Sequence, residues 1–108
     1  MRIKMSREQR NAANFLLRAI RDYGIHNFDV DSLKVKEDAY VDNGLNIVSY
    51  SVTIGANVVS IEYYYNDYCS GHAYVYLNDY SMAHCKVACH SDMSRAVSMF
   101  AALVQHLN

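Results

Sequence analysis

Residues 61–90 read IEYYYNDYCSGHAYVYLNDYSMAHCKVACH and gather most of the chain's ten tyrosines, all three cysteines and three of its five histidines. Cys69 and His72 stand at the spacing of a zinc half-set, and Cys85, Cys89 and His90 would have to supply the rest. Cys69 beside His72 or His84 is the pairing that nucleophilic catalysis would need, and Glu62 with Asp67 is the nearest couple of carboxylates. Neither chemistry is completed. Zinc wants four ligands about 2.0–2.3 Å from one point, whereas two residues four apart in a strand are roughly 13 Å apart at ~3.3 Å per residue. The local alternation also turns Cys85 and Cys89 toward a buried side, where a thiol behaves as a small hydrophobe. The chain has no G-x-S-x-G, no Gly-rich phosphate loop and no H-E-x-x-H. The expectation is no catalytic residue, no metal and no cofactor.

Two helices frame this segment. Ser6 and Gln9 form a capping box, and Ala13, Leu16, Leu17 and Ile20 recur at helical spacing up to Gly24, a cheap left-handed stop. At the other end Ser91 or Asp92 reads as a cap. Met93, Ala96, Val97, Phe100, Leu103, Val104 and Leu107 follow as one stripe. Between the helices the period is two. Val35, Ala39 and Val41 alternate with Lys36, Asp38 and Tyr40. Asp42-Asn43-Gly44 signals a hairpin. Val48, Tyr50, Val52 and Ile54 then alternate with serines and Thr53, and Val59, Ile61, Tyr63 and Tyr65 with Ser60, Glu62 and Tyr64. Ala73, Val75 and Leu77 alternate with His72, Tyr74 and Tyr76, and Ala83, Cys85, Val87 and Cys89 with His84, Lys86 and His90. Short turns between short strands predict an antiparallel meander of four or five strands. The helices need an apolar surface, and the Val/Ile side of the sheet is the large one on offer. The predicted fold is α+β in a single domain, in two layers with both helices on one sheet face.

That parity leaves Ser49, Ser51, Glu62, Tyr64, His72, Tyr74, Tyr76, His84 and Lys86 on the open face, with Tyr68 and Tyr80 extending it from loops. Tyrosine is an ordinary strand former. Three on one solvent face beside two histidines also make a recognition patch, since tyrosine offers stiff area with a polar tip.

The formal net charge of −1 conceals an uneven distribution. Six of the ten basic residues lie between Arg2 and Arg21, where Glu8 alone opposes them. On the first helix Arg7, Arg18 and Arg21 share a polar stripe with Asn11 and Asn14, and Arg10 lies alongside, an arrangement that can meet phosphates. The acidic 29–42 segment opposes a polyanion. No apolar run approaches the ~20 residues of a membrane span, and the start of the chain shows no signal-peptide core. A cytoplasmic protein with reduced cysteines is therefore expected.

These features favour non-catalytic binding of a protein partner through Tyr64, Tyr68, His72, Tyr74, Tyr76, Tyr80 and His84, with a homodimer as another way to cover the face. By analogy of type, the chain suits a small inhibitor of the phage-encoded, anti-CRISPR kind that occludes a larger machine. The alternatives are nucleic-acid binding through Arg7, Arg10, Arg18 and Arg21, and a small zinc-binding domain.

Overall fold

The computed structural model describes residues 3–30, 35–66 and 69–108, the side chains of 66, 69 and 70 excepted. Helix α1 (Arg7–Tyr23) leads into strands β1 (Val35–Asp42), β2 (Leu45–Ile54), β3 (Asn57–Asn66), β4 (Cys69–Leu77) and β5 (Tyr80–Val87). A 3-10 turn (His90–Met93) then feeds helix α2 (Ser94–Leu107). The strands form one antiparallel sheet in the order β1-β2-β3-β4-β5. This is the predicted meander, with five strands. No helix among the described residues is long and apolar enough to cross a membrane.

Burial explains the layering. The helix-side positions Val48, Tyr50, Val59, Ile61, Ala73 and Val75 are fully buried, as are Ala13, Leu16 and Ile20 of α1 and Met93, Ala96, Val97 and Phe100 of α2. A buried aliphatic side chain of this size contributes roughly 1.5–3 kcal/mol, so the shared stripe fixes which sheet face the helices cover. Phe28, just beyond α1, closes the core edge-on against Tyr50 (6.0 Å) and Phe100 (5.9 Å).

Local signals account for the ends of most elements. In the capping box the Ser6 hydroxyl accepts from the Gln9 N–H at 3.1 Å and the Gln9 amide oxygen accepts from the Ser6 N–H at 3.0 Å. Asn43 and Gly44 both take positive φ (51° and 80°), as the β1–β2 hairpin requires. Asn78, also at positive φ (56°), reaches sideways. It exchanges bonds with Val58, through N–H to carbonyl at 2.7 Å and through its side-chain oxygen at 3.0 Å. It thereby ties the β4–β5 turn to the β2–β3 hairpin.

Four expectations need correction. Gly24 ends α1 at φ −140°, not in the left-handed region. Its lack of a side chain serves the helix crossing, because a Cβ there would stand 2.8 Å from Val97 Cγ1 and 3.1 Å from Ala101 Cβ. Asp92 does not cap α2 directly. Its carboxylate reaches back to accept from the Ala88 and Cys89 N–H groups at 2.9 and 3.1 Å, bonds that hold its pKa low and fasten the end of β5 to the 3-10 turn. Val41 keeps the helix-side parity but is 61% exposed, since β1 runs on where no helix covers it. Strand alternation also stops at Val87, so Cys89 is exposed while Cys85 is half-buried.

A charge sits inside the core layer. Glu37 is 4% exposed, on the helix side of β1 between Val35 and Ala39. Arg10 donates to its two oxygens at 3.3 and 3.4 Å and to the Ile3 carbonyl at 3.1 Å, while the fully buried Tyr50 donates its hydroxyl to Glu37 at 2.9 Å. The network clamps α1 to β1 and β2. Removing one partner of a buried ion pair strands the other, at a cost of about 3 kcal/mol. Arg10→Ala should therefore lower the urea midpoint strongly, whereas Arg18→Ala on the exposed side of the same helix should leave it nearly unchanged; equal effects would refute the clamp.

Candidate functional site

The face away from the helices is set by register. Cross-strand partners share a face, and the pairings lay out three rows across the five strands. The first is Tyr40, Ile47, Tyr64, His72 and Lys86. The second is Asp38, Ser49, Glu62, Tyr74 and His84. The third is Lys36, Ser51, Ser60, Tyr76 and Ser81. Every open-face residue expected from strand parity lies in this grid.

The aromatic side chains form a ladder with nearly parallel rings. Tyr74 is its centre, with ring centroids 5.3 Å from Tyr64, 6.0 Å from Tyr76 and 4.2 Å from His84, each pair 11° apart in plane. His72 joins Tyr64 at 5.7 Å and His84 at 5.3 Å. The His72 Nδ1 and His84 Nε2 atoms are 3.1 Å apart, a hydrogen bond in which one ring donates and the other, neutral, accepts. Beside the ladder, Ile47 and Ser49 are only 7% and 8% exposed although they face away from the helices. Ile47 stands in register between Tyr40 and Tyr64, a small apolar floor outside the main core.

A β-bulge decides who belongs. Val75 pairs with Ala83 and Tyr76 with Ser81, so Met82 is an extra residue in β5. Between the bulge and the two-residue turn, Tyr80 pairs with Leu77 and takes the helix-side parity, 77% exposed. Tyr80 is thus not part of the ladder. Beyond the bulge, parity is restored: His84 faces Tyr74, and Cys85 faces Ala73 on the helix side. Tyr68, the other expected rim residue, lies outside the described residues.

The electrostatics favour neutral hydroxyls. Burial first, then the nearby Glu62 and other acidic or tyrosyl neighbours, raises the phenols of Tyr40 and Tyr76 above their ordinary value. Tyr64 is raised by burial and by a hydrogen bond with the Tyr74 side chain. The Glu62 carboxyl is raised by burial and by Asp38.

The remaining candidates lie elsewhere. Arg7, Arg18 and Arg21 are exposed on the outer side of α1, on the opposite side of the molecule from the ladder. Arg10 belongs to the Glu37 network, so its guanidinium is engaged inward. His90 is not on the open face: the 3-10 turn folds it against α1, where it contacts Phe15 and Tyr23. Its Nδ1 lies 3.2 Å from the Tyr23 hydroxyl, and Asp22 stands 3.6 Å from Nε2, an ion pair only when the ring is protonated. Cys85 donates to the Asp92 carbonyl at 3.4 Å, and burial raises its pKa, which keeps it a thiol. Among the described residues no three of His, Cys, Asp and Glu converge as a metal set.

Comparison with known families, characterised proteins and solved structures finds no match to this chain. Sequence reasoning omitted Ile47, Ser60, Ser81, Tyr40, Lys36 and Asp38 from the face. The last three were visible in the alternation of β1, and Ile47 was hidden because an apolar residue on an open face breaks the pattern.

Glu62→Gln is expected to stabilise the fold at neutral pH. The folded state holds the Glu62 proton more tightly than the unfolded chain, so the ionised form costs stability above the raised pKa. That cost disappears as pH falls below the ordinary glutamate value of about 4.3. Thermal melts of variant and parent should differ at pH 7 and converge at about pH 3; a constant offset would argue against a strained carboxylate.

Proposed function

We propose that the protein acts without catalysis, as a binding module that docks a protein partner on its open sheet face. The observation that carries this reading is the parallel Tyr64–Tyr74–Tyr76 ladder with His72 and His84, presented on the side the helices do not cover. Stacked rings lose little freedom when a partner covers them, so their area converts to affinity efficiently. The hydroxyl and imidazole tips supply hydrogen bonds at the same surface. Occupancy of a partner's own site, as a small inhibitor would achieve it, is the mode of action such a rigid platform suits.

Charge argues for protein over nucleic acid at this face. Asp38 and Glu62 occupy its middle row and Lys36 and Lys86 only two opposite corners, so the face lacks the continuous basic surface that a phosphate backbone needs. A nucleic-acid partner would have to use Arg7, Arg18 and Arg21 on the opposite side, and its affinity would fall steeply with salt.

The test is affinity capture from the native host, identification of the bound protein, and titration of the purified pair. Tyr74→Ala should weaken a stoichiometric complex by about thirtyfold, the scale of a hot-spot truncation near 2 kcal/mol. Arg18→Ala should not change it. A partner whose affinity ignores Tyr74 and Tyr76 but collapses on loss of the α1 arginines would transfer the function to the other side of the molecule.

A further inference from the structure

The open face is divided. Its β1–β3 side carries Asp38 and Glu62 in the middle row with Lys36 at one corner, and its β4–β5 side carries His72, His84 and Lys86. It is divided in height as well: β2 presents Ser49 and Ser51, and β4 presents Tyr74 and Tyr76 in the same two rows. We propose that the open faces of two copies of this chain pack on each other about a two-fold axis running along β3. This rests on the reading that the face binds protein, and it names a second copy as the partner.

An isologous contact places one patch against itself, and two in-plane axes keep the strands of the two copies aligned. With the axis along β3, β1 of one copy covers β5 of the other and each row stays on its own row. Asp38 then opposes the second copy's His84, and Tyr40 opposes Lys86. The tall Tyr74 and Tyr76 descend on the low Ser49 and Ser51, and His72 covers Ile47. With the axis turned across the strands, Asp38 meets Asp38, His84 meets His84 and Tyr74 meets Tyr74. Like charges and large rings then collide. The axis along β3 also sets Tyr64 on Tyr64 and Glu62 on Glu62, but of the two it alone pairs Asp38 with His84 and lays Tyr74 and Tyr76 over serines, so charge and shape favour it. Sheets packed face to face commonly keep their strand directions within about 30° of each other. Glu62 lies on the axis in either case and does not discriminate between them.

The area is sufficient for a modest dimer. Five strands about 4.8 Å apart and three rows about 6.7 Å apart span roughly 500 Å² per copy. Two copies together bury about 1,000 Å², the low end for a specific interface.

Sedimentation analysis of the full chain tests this. The wild type should pass from monomer to dimer between about 1 and 100 µM. Asp38→Lys alone and His84→Asp alone should each shift the protein to monomer, with unchanged circular dichroism. The double variant Asp38→Lys/His84→Asp should dimerise again, and an equimolar mixture of the two single variants should form a heterodimer. Arg18→Ala should leave dimerisation unchanged. A wild type that stays monomeric at about 100 µM, or single variants that dimerise like the parent, overturns the inference. A monomeric wild type that still binds a different purified protein through Tyr74 overturns the self-association alone and leaves the binding reading standing. A dimer indifferent to Tyr74→Ala as well as to both charge changes lies on another surface and overturns the self-association through this face.

Discussion

Strand parity governs everything this molecule presents to its surroundings. The Val/Ile stripe of β2–β4 must lie under α1 and α2, because no other surface offers the helices a comparable apolar area. Once that side is fixed, period two sends Tyr64, His72, Tyr74 and Tyr76 to the other. No residue of the ladder has to be oriented by a special device of its own. The same burial that stabilises the fold aims the aromatic face outward, so core and candidate site are two readings of one alternation.

Two devices protect that alternation where sequence alone would lose it. The Glu37–Arg10–Tyr50 network holds the edge strand to α1 by charge where β1 is poor in apolar residues. A buried pair of this kind gains little over a hydrophobic replacement, but it penalises misplacement heavily. It therefore contributes specificity of register more than raw stability. Asn78, at positive φ in one turn and bonded to Val58 in the neighbouring strand, closes the two hairpins against each other at one end of the sheet. The ladder above is consequently built on strands pinned both laterally and to the helix layer.

Much of this was legible from residue order. Alternation gave the strands, the capping box placed the start of α1, and Asn43-Gly44 marked a turn whose backbone takes the required positive φ at both positions. What escaped was nonlocal or depended on counting. Glu37 interrupts the apolar alternation of β1, and the partner that explains it lies 27 residues away on a helix. Gly24 looked like a conformational stop, whereas the neighbouring helix 73 residues on is what excludes a side chain there. Cys89 and His90 continue the period-two pattern in sequence, but β5 ends at Val87 and the chain turns before them. Tyr80 was assigned to the rim because no single residue in YSMAH announces a bulge.

Met82 has a wider meaning for how this chain can vary. A two-residue turn at Asn78–Asp79 and one supernumerary residue in β5 are needed together for His84 to reach the ladder and Cys85 the core. Lengthening or shortening the turn by one residue without a compensating change at the bulge would exchange those two side chains, exposing the thiol and burying an imidazole. Insertions and deletions in this hairpin are therefore constrained in pairs, and two positions that never touch must drift through sequence space as one.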